Sequence, residues 1–304
     1  MRPHDLIIIG AGPAGCSAAV QSLRLGLQPL LIDTSGSVGG LAANAFSIEN
    51  FPAGDTPMNG PGFVNMLEAY LKRFDIPVHK NRLRALQRVN DLWHLDCDNG
   101  LITARSVILA TGTVPIALDI PGVPQKPDHR FNYKVRPVLA RKPETAIVIG
   151  GGEAAFDYAL SLSNHGAEVN MFIRGTAPKA CGRLRRMVEE EPGITIRYEY
   201  IPQSMSMRNN GLSITFSCKG TEHVCDASCC VAAIGRRSTA KTYLKPQGIT
   251  ITGDTRTSAL GLFVAGDIRR NTLGQAGIAL GDGLAAAMEA RTYLTQGTSE
   301  DKSC

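Results

Sequence analysis

With 304 residues, 43% of them hydrophobic, and 32 glycines, the chain is long enough for two domains with their own cores and fits an α/β protein whose turns approach ligands closely. A net charge of +5 is too small to mark a nucleic-acid or membrane-surface binder, and 6% aromatic residues leave few platforms for stacking bases. No apolar run reaches membrane-spanning length, and eight scattered cysteines, no two of them in a C-x-x-C, argue against a secreted disulfide scaffold and for a reducing, cytoplasmic setting.

In chain order, Asp5-Leu-Ile-Ile-Ile9 is a short, continuously apolar run, the pattern of a parallel strand buried on both faces. The apolar stretch from Leu6 to Val20 mimics a signal peptide, but it lacks a basic lead and is interrupted by Gly10-Ala-Gly12-Pro-Ala14-Gly15. That interruption predicts a glycine turn opening an Ala-rich helix. A second strand, Gln28-Pro-Leu-Leu-Ile32, ends in Asp33. The proline-rich, charged segment 113–145 reads as a crossing into a second domain. There Thr145-Ala-Ile-Val-Ile149 predicts another buried strand, followed by Gly150-Gly-Gly152-Glu153-Ala-Ala155, a helix to about Asn164, and a strand at Val169–Ile173. The stretch from about Lys245 to Asp267 runs back. The expected fold is therefore α/β with two Rossmann-type dinucleotide-binding domains, the second inserted into the first. Their expected limits are 1–116 with 246–304, and 117–245.

Each glycine motif follows a strand and opens a helix. Its glycines allow the tight turn, the approach of backbone to a pyrophosphate, and close helix–strand packing. At the first, Asp33 can accept from both ribose hydroxyls of an adenosine and would repel a 2′-phosphate, so this half is expected to hold FAD or NAD. The alternative, an ordinary loop acid, is disfavoured by the fingerprint upstream. At the second, the strand end reads Ile173-Arg174-Gly-Thr-Ala-Pro-Lys179 without an acid. Cations there suit a 2′-phosphate, so NADPH is expected, with NADH possible and a solvated basic loop as the bland alternative.

Further motifs carry a resemblance. Gly39-Gly40-Leu41 with Ile48-Glu49-Asn50-Phe51-Pro52 resembles the GGQL…ENFPG segment of the low-molecular-weight thioredoxin reductases, which wraps the flavin. Leu109-Ala-Thr-Gly112, Val231-Ala-Ala-Ile-Gly235 and Leu262-Phe-Val-Ala-Gly266-Asp267 are similar to that family's ATG, VAIG and FAAGD turns. Gln275-Ala276 with Gly281-Asp-Gly283 resembles its RQA…AGDG stretch. The resemblance implies an FAD-dependent, homodimeric oxidoreductase. Asp267 would bind the ribityl chain, Gln275 and Ala276 the pyrimidine edge, and Ala14, Gly40, Leu41, Asn50 and Gly112 the rest of the flavin nucleotide. Gly150, Gly152, Glu153, Ala155, Arg174, Lys179 and Gly235 would bind the pyridine nucleotide.

Four departures matter. The family's CATC falls on Tyr133-Lys-Val-Arg136, its HRRxxxR clamp keeps two cations, its RQA arginine is Gly274, and the glutamine of GGQL is Leu41. Tyr133-Lys-Val-Arg136 resembles instead the thioredoxin-reductase-like ferredoxin/flavodoxin–NADP reductases, although those lack ENFP. The expectation is an NAD(P)H-linked flavoenzyme with Tyr133 against the flavin or nicotinamide face. Electrons would leave to a small molecule or small redox protein rather than through a dithiol relay. A ferredoxin/flavodoxin reductase, an enzyme acting on a small dithiol or natural-product intermediate, and a non-catalytic FAD protein with a decayed second site stay open. Cys16, Cys229 and Cys230 read as packing residues. Cys218 and Cys225 flank a turn and could approach each other across a hairpin, and Cys304 is a terminal thiol. The base-rich run from Arg130 to Lys142 reads as a solvated surface, or as a docking patch in the ferredoxin-reductase reading, and no metal-ligand cluster is apparent.

Overall fold

The computed structural model describes residues 2–52, 58–269 and 274–296; Cys304 lies outside them. It divides into two compact units, one made of Met1–Ala43, Ile48–Val114 and Arg237–Cys304, the other of Asn44–Ser47 and Pro115–Arg236.

The first unit begins β1 (His4–Ile9), α1 (Pro13–Arg24), β2 (Pro29–Asp33), α2 (Gly60–Arg73), β3 (Val78–Lys80), β4 (Leu83–Val89), β5 (Leu92–Cys97) and β6 (Gly100–Leu109). Its sheet runs β3-β2-β1-β6-β5-β4. Leu6–Ile9 of β1 are buried, as their unbroken apolar run requires of a strand covered on both faces. The long β6 changes partner along its length. Gly100–Ala104 pairs antiparallel with β5, and Val107–Leu109 pairs parallel with Leu262–Val264 from the end of the chain. Trp93, Leu95, Leu86 and Val264 fill the core beneath. On the other side α1 presents Ala14 to Val20, all buried. These small residues let it lie close to the sheet and to the last helix, where the Ser17 hydroxyl donates to the Leu280 carbonyl at 2.8 Å. Cys16 belongs to this packing, its thiol donating to the Ala11 carbonyl.

After β7 (Thr113–Pro115), the second unit contains β8 (Phe131–Asn132), α3 (Arg136–Leu139), β9 (Thr145–Ile149), α4 (Glu153–Ser163), β10 (Glu168–Ile173), α5 (Gly182–Glu189) and β11 (Ile194–Tyr198). The strands β12 (Ile201–Arg208), β13 (Gly211–Cys218), β14 (Thr221–Ala227) and β15 (Cys229–Ala232) follow. The parallel sheet runs β11-β10-β9-β15-β8, and β12-β13-β14 form a separate antiparallel sheet. The two-residue period of β9 sends Ala146 and Val148 into a core with α4, and Ile147 and Ile149 into another with β13. In the second of these, Phe172 stacks on Phe216 with centroids 3.9 Å apart. Cys229 and Cys230 split between the two cores, as packing residues.

The chain returns through β16 (Arg236–Ser238), α6 (Ala240–Tyr243), β17 (Leu262–Val264) and α7 (Ala276–Gln296). Two expectations are corrected. The first unit resumes at Arg237, ahead of residue 246, because Thr239 Oγ1 donates to the Gly112 carbonyl, the Tyr243 hydroxyl donates to the Leu83 carbonyl, and Leu244 enters the first core. Cys218 and Cys225 do not meet across the hairpin, because the register pairs Cys218 with Thr221 and Cys225 with Ile214.

The short stretch Asn44–Ser47 belongs to the second unit through two polar contacts. Asn44 Oδ1 accepts from the Arg136 N–H at 3.4 Å, and both Asp157 carboxylate oxygens accept from the Phe46 N–H at 3.0 and 2.9 Å. Burial pushes Asp157 up to about 6, against the pull of the Phe46 and Ser47 N–H groups. The folded-state value lies above the ordinary 3.8. Asp157 therefore favours the folded state at low pH and withdraws that contribution as pH rises through about 6. Asp157→Asn removes the titration, so the variant should gain stability relative to wild type between about pH 4 and pH 7, by up to about 3 kcal/mol. Melting curves of both proteins across that range check it; an offset independent of pH would contradict it.

Candidate functional site

In the first unit the end of β1 and the start of α1 form a turn around Gly10–Gly12. A Cβ on Gly15 would lie 1.7 Å from the Gly10 carbonyl oxygen, so only glycine lets the helix begin this close to the strand. Gly12 has extended backbone with Pro13 behind it, and a Cβ there would find nothing nearer than the Gly40 Cα at 4.0 Å. The free N–H groups of the first helical turn thus face open space, the arrangement that holds a phosphate. Asp33 closes one side of the turn. Its Oδ2 accepts the Ala11 N–H at 3.1 Å, and its Oδ1 accepts from the Ser35 N–H and hydroxyl at 2.7 and 2.6 Å. The Gly39 N–H donates to the Ala11 carbonyl at 2.9 Å, which lays Gly39-Gly40-Leu41 beside the turn.

Other expected flavin contacts gather on the same unit. Asn50 Nδ2 donates to Gln275 Oε1 at 2.8 Å, tying the Glu49-Asn50-Phe51 segment to the residue before Ala276, where α7 starts. The Gly112 carbonyl accepts both the N–H and the hydroxyl of Thr239. Asp267 sits in a 3-10 turn, Gly266–Ile268. A Cβ on Gly274 would come within 3.0 Å of its carboxylate, so the space a side chain at 274 would enter is already taken.

The second unit repeats the geometry. Gly152 is extended and precedes α4, with Glu153 in the first turn, and a Cβ on Gly152 would meet nothing within 4 Å. Ala155 is fully buried, a methyl group where the first motif has its third glycine. The Lys179 N–H donates to the Gly151 carbonyl at 2.7 Å. This bonds the loop after β10, which carries Arg174 and Lys179, to the glycine turn at Lys179. The Arg174 and Lys179 residues are exposed, and among the described residues neither is in an ion pair that holds it elsewhere. Gly235 accepts the Ile116 N–H at 3.0 Å.

Tyr133 has a structural occupation beyond the one the sequence suggests. Its ring packs edge-on against Phe131 with centroids 5.2 Å apart, and its hydroxyl accepts the Leu118 N–H at 3.1 Å. Sequence reasoning missed Asp282, Arg269, Thr239 and Asp157. Of these, only Asp282 carried a signal, an acid between two glycines in a run that otherwise reads as buried helix. Among the described residues no His/Cys/Asp/Glu group could hold a metal, and no helix is long and apolar enough to cross a membrane.

Two glycine-turn units, one inserted in the other, define the class II fold of the pyridine nucleotide-disulphide oxidoreductases. The model of that family matches residues 4–283, and the chain belongs to it. Thioredoxin reductase of Treponema pallidum is 29% identical over 301 residues, covering 96% of this chain and 97% of that protein. Thioredoxin reductase of Escherichia coli O157:H7 is 29% identical over 318 residues, again covering 96% and 97%. Among solved structures, Lactococcus lactis thioredoxin reductase matches with a TM-score of 0.85 at 24% identity, over 96% of this chain and 99% of that one. The bacillithiol disulfide reductase of Bacillus cereus matches with a TM-score of 0.76 at 20% identity, over 96% and 99%. The thioredoxin-reductase-like family uses FAD and NADPH. The residues here fit both groups, with two open helix N-termini, an acid at the first strand end and bases at the second.

The two glycines of the first turn should separate packing from ligand approach. Gly15→Ala is expected to cost about 1–3 kcal/mol by overpacking. Gly12→Ala, facing open space, should leave the apoprotein's melting temperature nearly unchanged yet weaken FAD retention. Thermal unfolding and flavin content check both; equal destabilisation by the two would contradict the assignment.

Proposed function

We propose that this protein is an FAD-dependent, NAD(P)H-linked oxidoreductase that passes electrons to a small molecule or small redox protein, without the dithiol relay of its thioredoxin reductase relatives. The observation that carries this reading is the replacement of the thiol pair by Tyr133-Lys-Val-Arg136 in a sequence with no C-x-x-C. The state of the buried thiols supports it. Burial pushes Cys16 and Cys229 up to about 12 and Cys97 to about 11, and pushes Cys230 well above its ordinary value. Such thiols yield little thiolate, the form that attacks a disulfide.

When bound, FAD would supply the redox chemistry, a two-electron couple between reduced nicotinamide and the acceptor. The protein's residues bind and orient. Asp33 and the α1 N-terminus take the adenosine ribose and the pyrophosphate, Asp267 accepts from a ribityl hydroxyl, and Asn50, Gln275 and Ala276 hold the pyrimidine edge. On the second unit Gly150, Gly152 and the α4 N-terminus take the other pyrophosphate, and Tyr133 stands against the flavin or nicotinamide face. Arg174 and Lys179 favour NADPH over NADH. A cytoplasmic homodimer completes the reading, with the exposed Leu284 and Met288 of α7 as an apolar patch that a second copy would cover.

Three experiments test this reading. With excess NADPH, thioredoxin-linked disulfide reduction should be absent, while a screen of ferredoxin, flavodoxin, quinones and small disulfides finds an acceptor. Single Cys→Ser variants should retain flavin reduction. A stable, flavin-loaded variant that loses turnover would reveal a working thiol and overturn the proposal. Arg174→Glu and Lys179→Glu should each raise KM for NADPH about tenfold or more, since a charge-assisted bond contributes about 1.5–3 kcal/mol, and leave NADH nearly unchanged. Equal losses for both nucleotides would assign these residues to the fold rather than to nucleotide choice.

A further inference from the structure

The first unit contains a buried ionic contact that none of the nucleotide contacts above uses. Asp282 lies on the inward face of α7, with its side chain 9% exposed. Its Oδ2 accepts the Gly266 N–H at 3.2 Å, and its Oδ1 accepts from Arg269 Nη1 at 3.1 Å. Arg269 is itself 11% exposed, and its Nη2 reaches out to the solvent-exposed Asp254 at 3.0 Å. Its Nε is buried without a hydrogen-bond partner among the described residues. A charge pair withdrawn from water in this way is weak evidence for stability, because desolvation offsets much of the attraction. Its geometry is what calls for explanation.

The two groups that Asp282 holds bracket Asp267. Gly266 precedes it and Arg269 closes the same 3-10 turn, so one carboxylate fixes both ends of the turn that presents Asp267. That carboxylate also belongs to the helix whose first turn carries Ala276, next to Gln275. The same helix is bonded to α1, through the Ser17 hydroxyl and the Leu280 carbonyl, and α1 opens at the first glycine turn. Asp282 is therefore the point at which the Asp267 turn is registered against the helix bearing the pyrimidine-edge residues.

We propose that Asp282, paired with Arg269, is a positioning residue for flavin binding: it sets the distance between Asp267 and the start of α7, and so fits the unit to the ribityl chain and isoalloxazine together. This rests on the reading above that Asp267, Gln275 and Ala276 hold FAD. It predicts that loss of the pair weakens FAD binding by more than it weakens the fold.

The test compares apoprotein and FAD-loaded protein for Asp282→Asn, Arg269→Met and the double variant. Each single variant breaks the Asp282–Arg269 ion pair and leaves one of its two buried groups without that counter-charge, and should lower the apoprotein's melting temperature. It should also raise the dissociation constant for FAD, read by flavin fluorescence, by about tenfold to a hundredfold, with altered visible circular dichroism of the bound flavin. The double variant removes both charges and should recover much of the apoprotein's stability while FAD affinity and the flavin spectrum stay impaired. Recovery of FAD affinity together with stability would show a purely structural pair and overturn the proposal, as would single variants that bind FAD like wild type. Should Asp282→Asn not fold, Arg269→Lys, which keeps the charge and the Gly266 bond, replaces it. Arg269→Lys should bind FAD more tightly than Arg269→Met, and equal affinities would overturn the proposal. Wild-type protein that takes up no FAD would instead refute the flavin reading itself.

Discussion

A helix offers its free N–H groups to a pyrophosphate at the turn that joins it to the preceding strand, and that turn is tightest where no side chain intervenes. In this chain that condition is met at Gly15, where the Gly10 carbonyl occupies the place of a Cβ. The neighbouring contacts depend on it. Asp33 reaches the Ala11 N–H, Gly39 reaches the Ala11 carbonyl, and the small residues of α1 let α7 pack against it. In the second unit a methyl group, fully buried Ala155, stands in place of the third glycine.

What separates the two nucleotide sites is charge at the end of the second strand of each motif. Asp33 spends one carboxylate oxygen on the turn and one on Ser35, which fixes its negative charge at the end of β2. The corresponding loop of the second unit carries Arg174 and Lys179, held near the turn by a backbone bond from Lys179 to Gly151. An acid at one and bases at the other are the charge difference on which the proposed placement of FAD in the first unit and a phosphorylated pyridine nucleotide in the second rests.

The sequence made the architecture legible because both motifs are local. A buried apolar strand, a glycine turn and an Ala-rich helix each declare themselves within about ten residues. The return into the first unit at Arg237 was not legible, because it depends on Thr239, Tyr243 and Leu244 finding partners more than a hundred residues away in the chain. The Asp282–Arg269 contact was hidden for a similar reason. An acid between glycines reads as part of a motif, and only the fold shows that it faces inward toward Gly266. Tyr133 illustrates the opposite limit. Its likeness in position to the family's CATC segment was visible as a resemblance, whereas its bond to Leu118 and its contact with Phe131 came only with the structure.

Electron counting tests the thiol-free account most directly. In an enzyme with a redox-active dithiol, NADPH must fill both the flavin and the disulfide, each a two-electron couple. With flavin alone, anaerobic titration of the FAD-loaded protein with NADPH should bleach the flavin absorbance fully at about one equivalent per FAD, with no new thiols detected afterwards. Consumption of a second equivalent with the appearance of two thiols, or no bleaching at all, would contradict it.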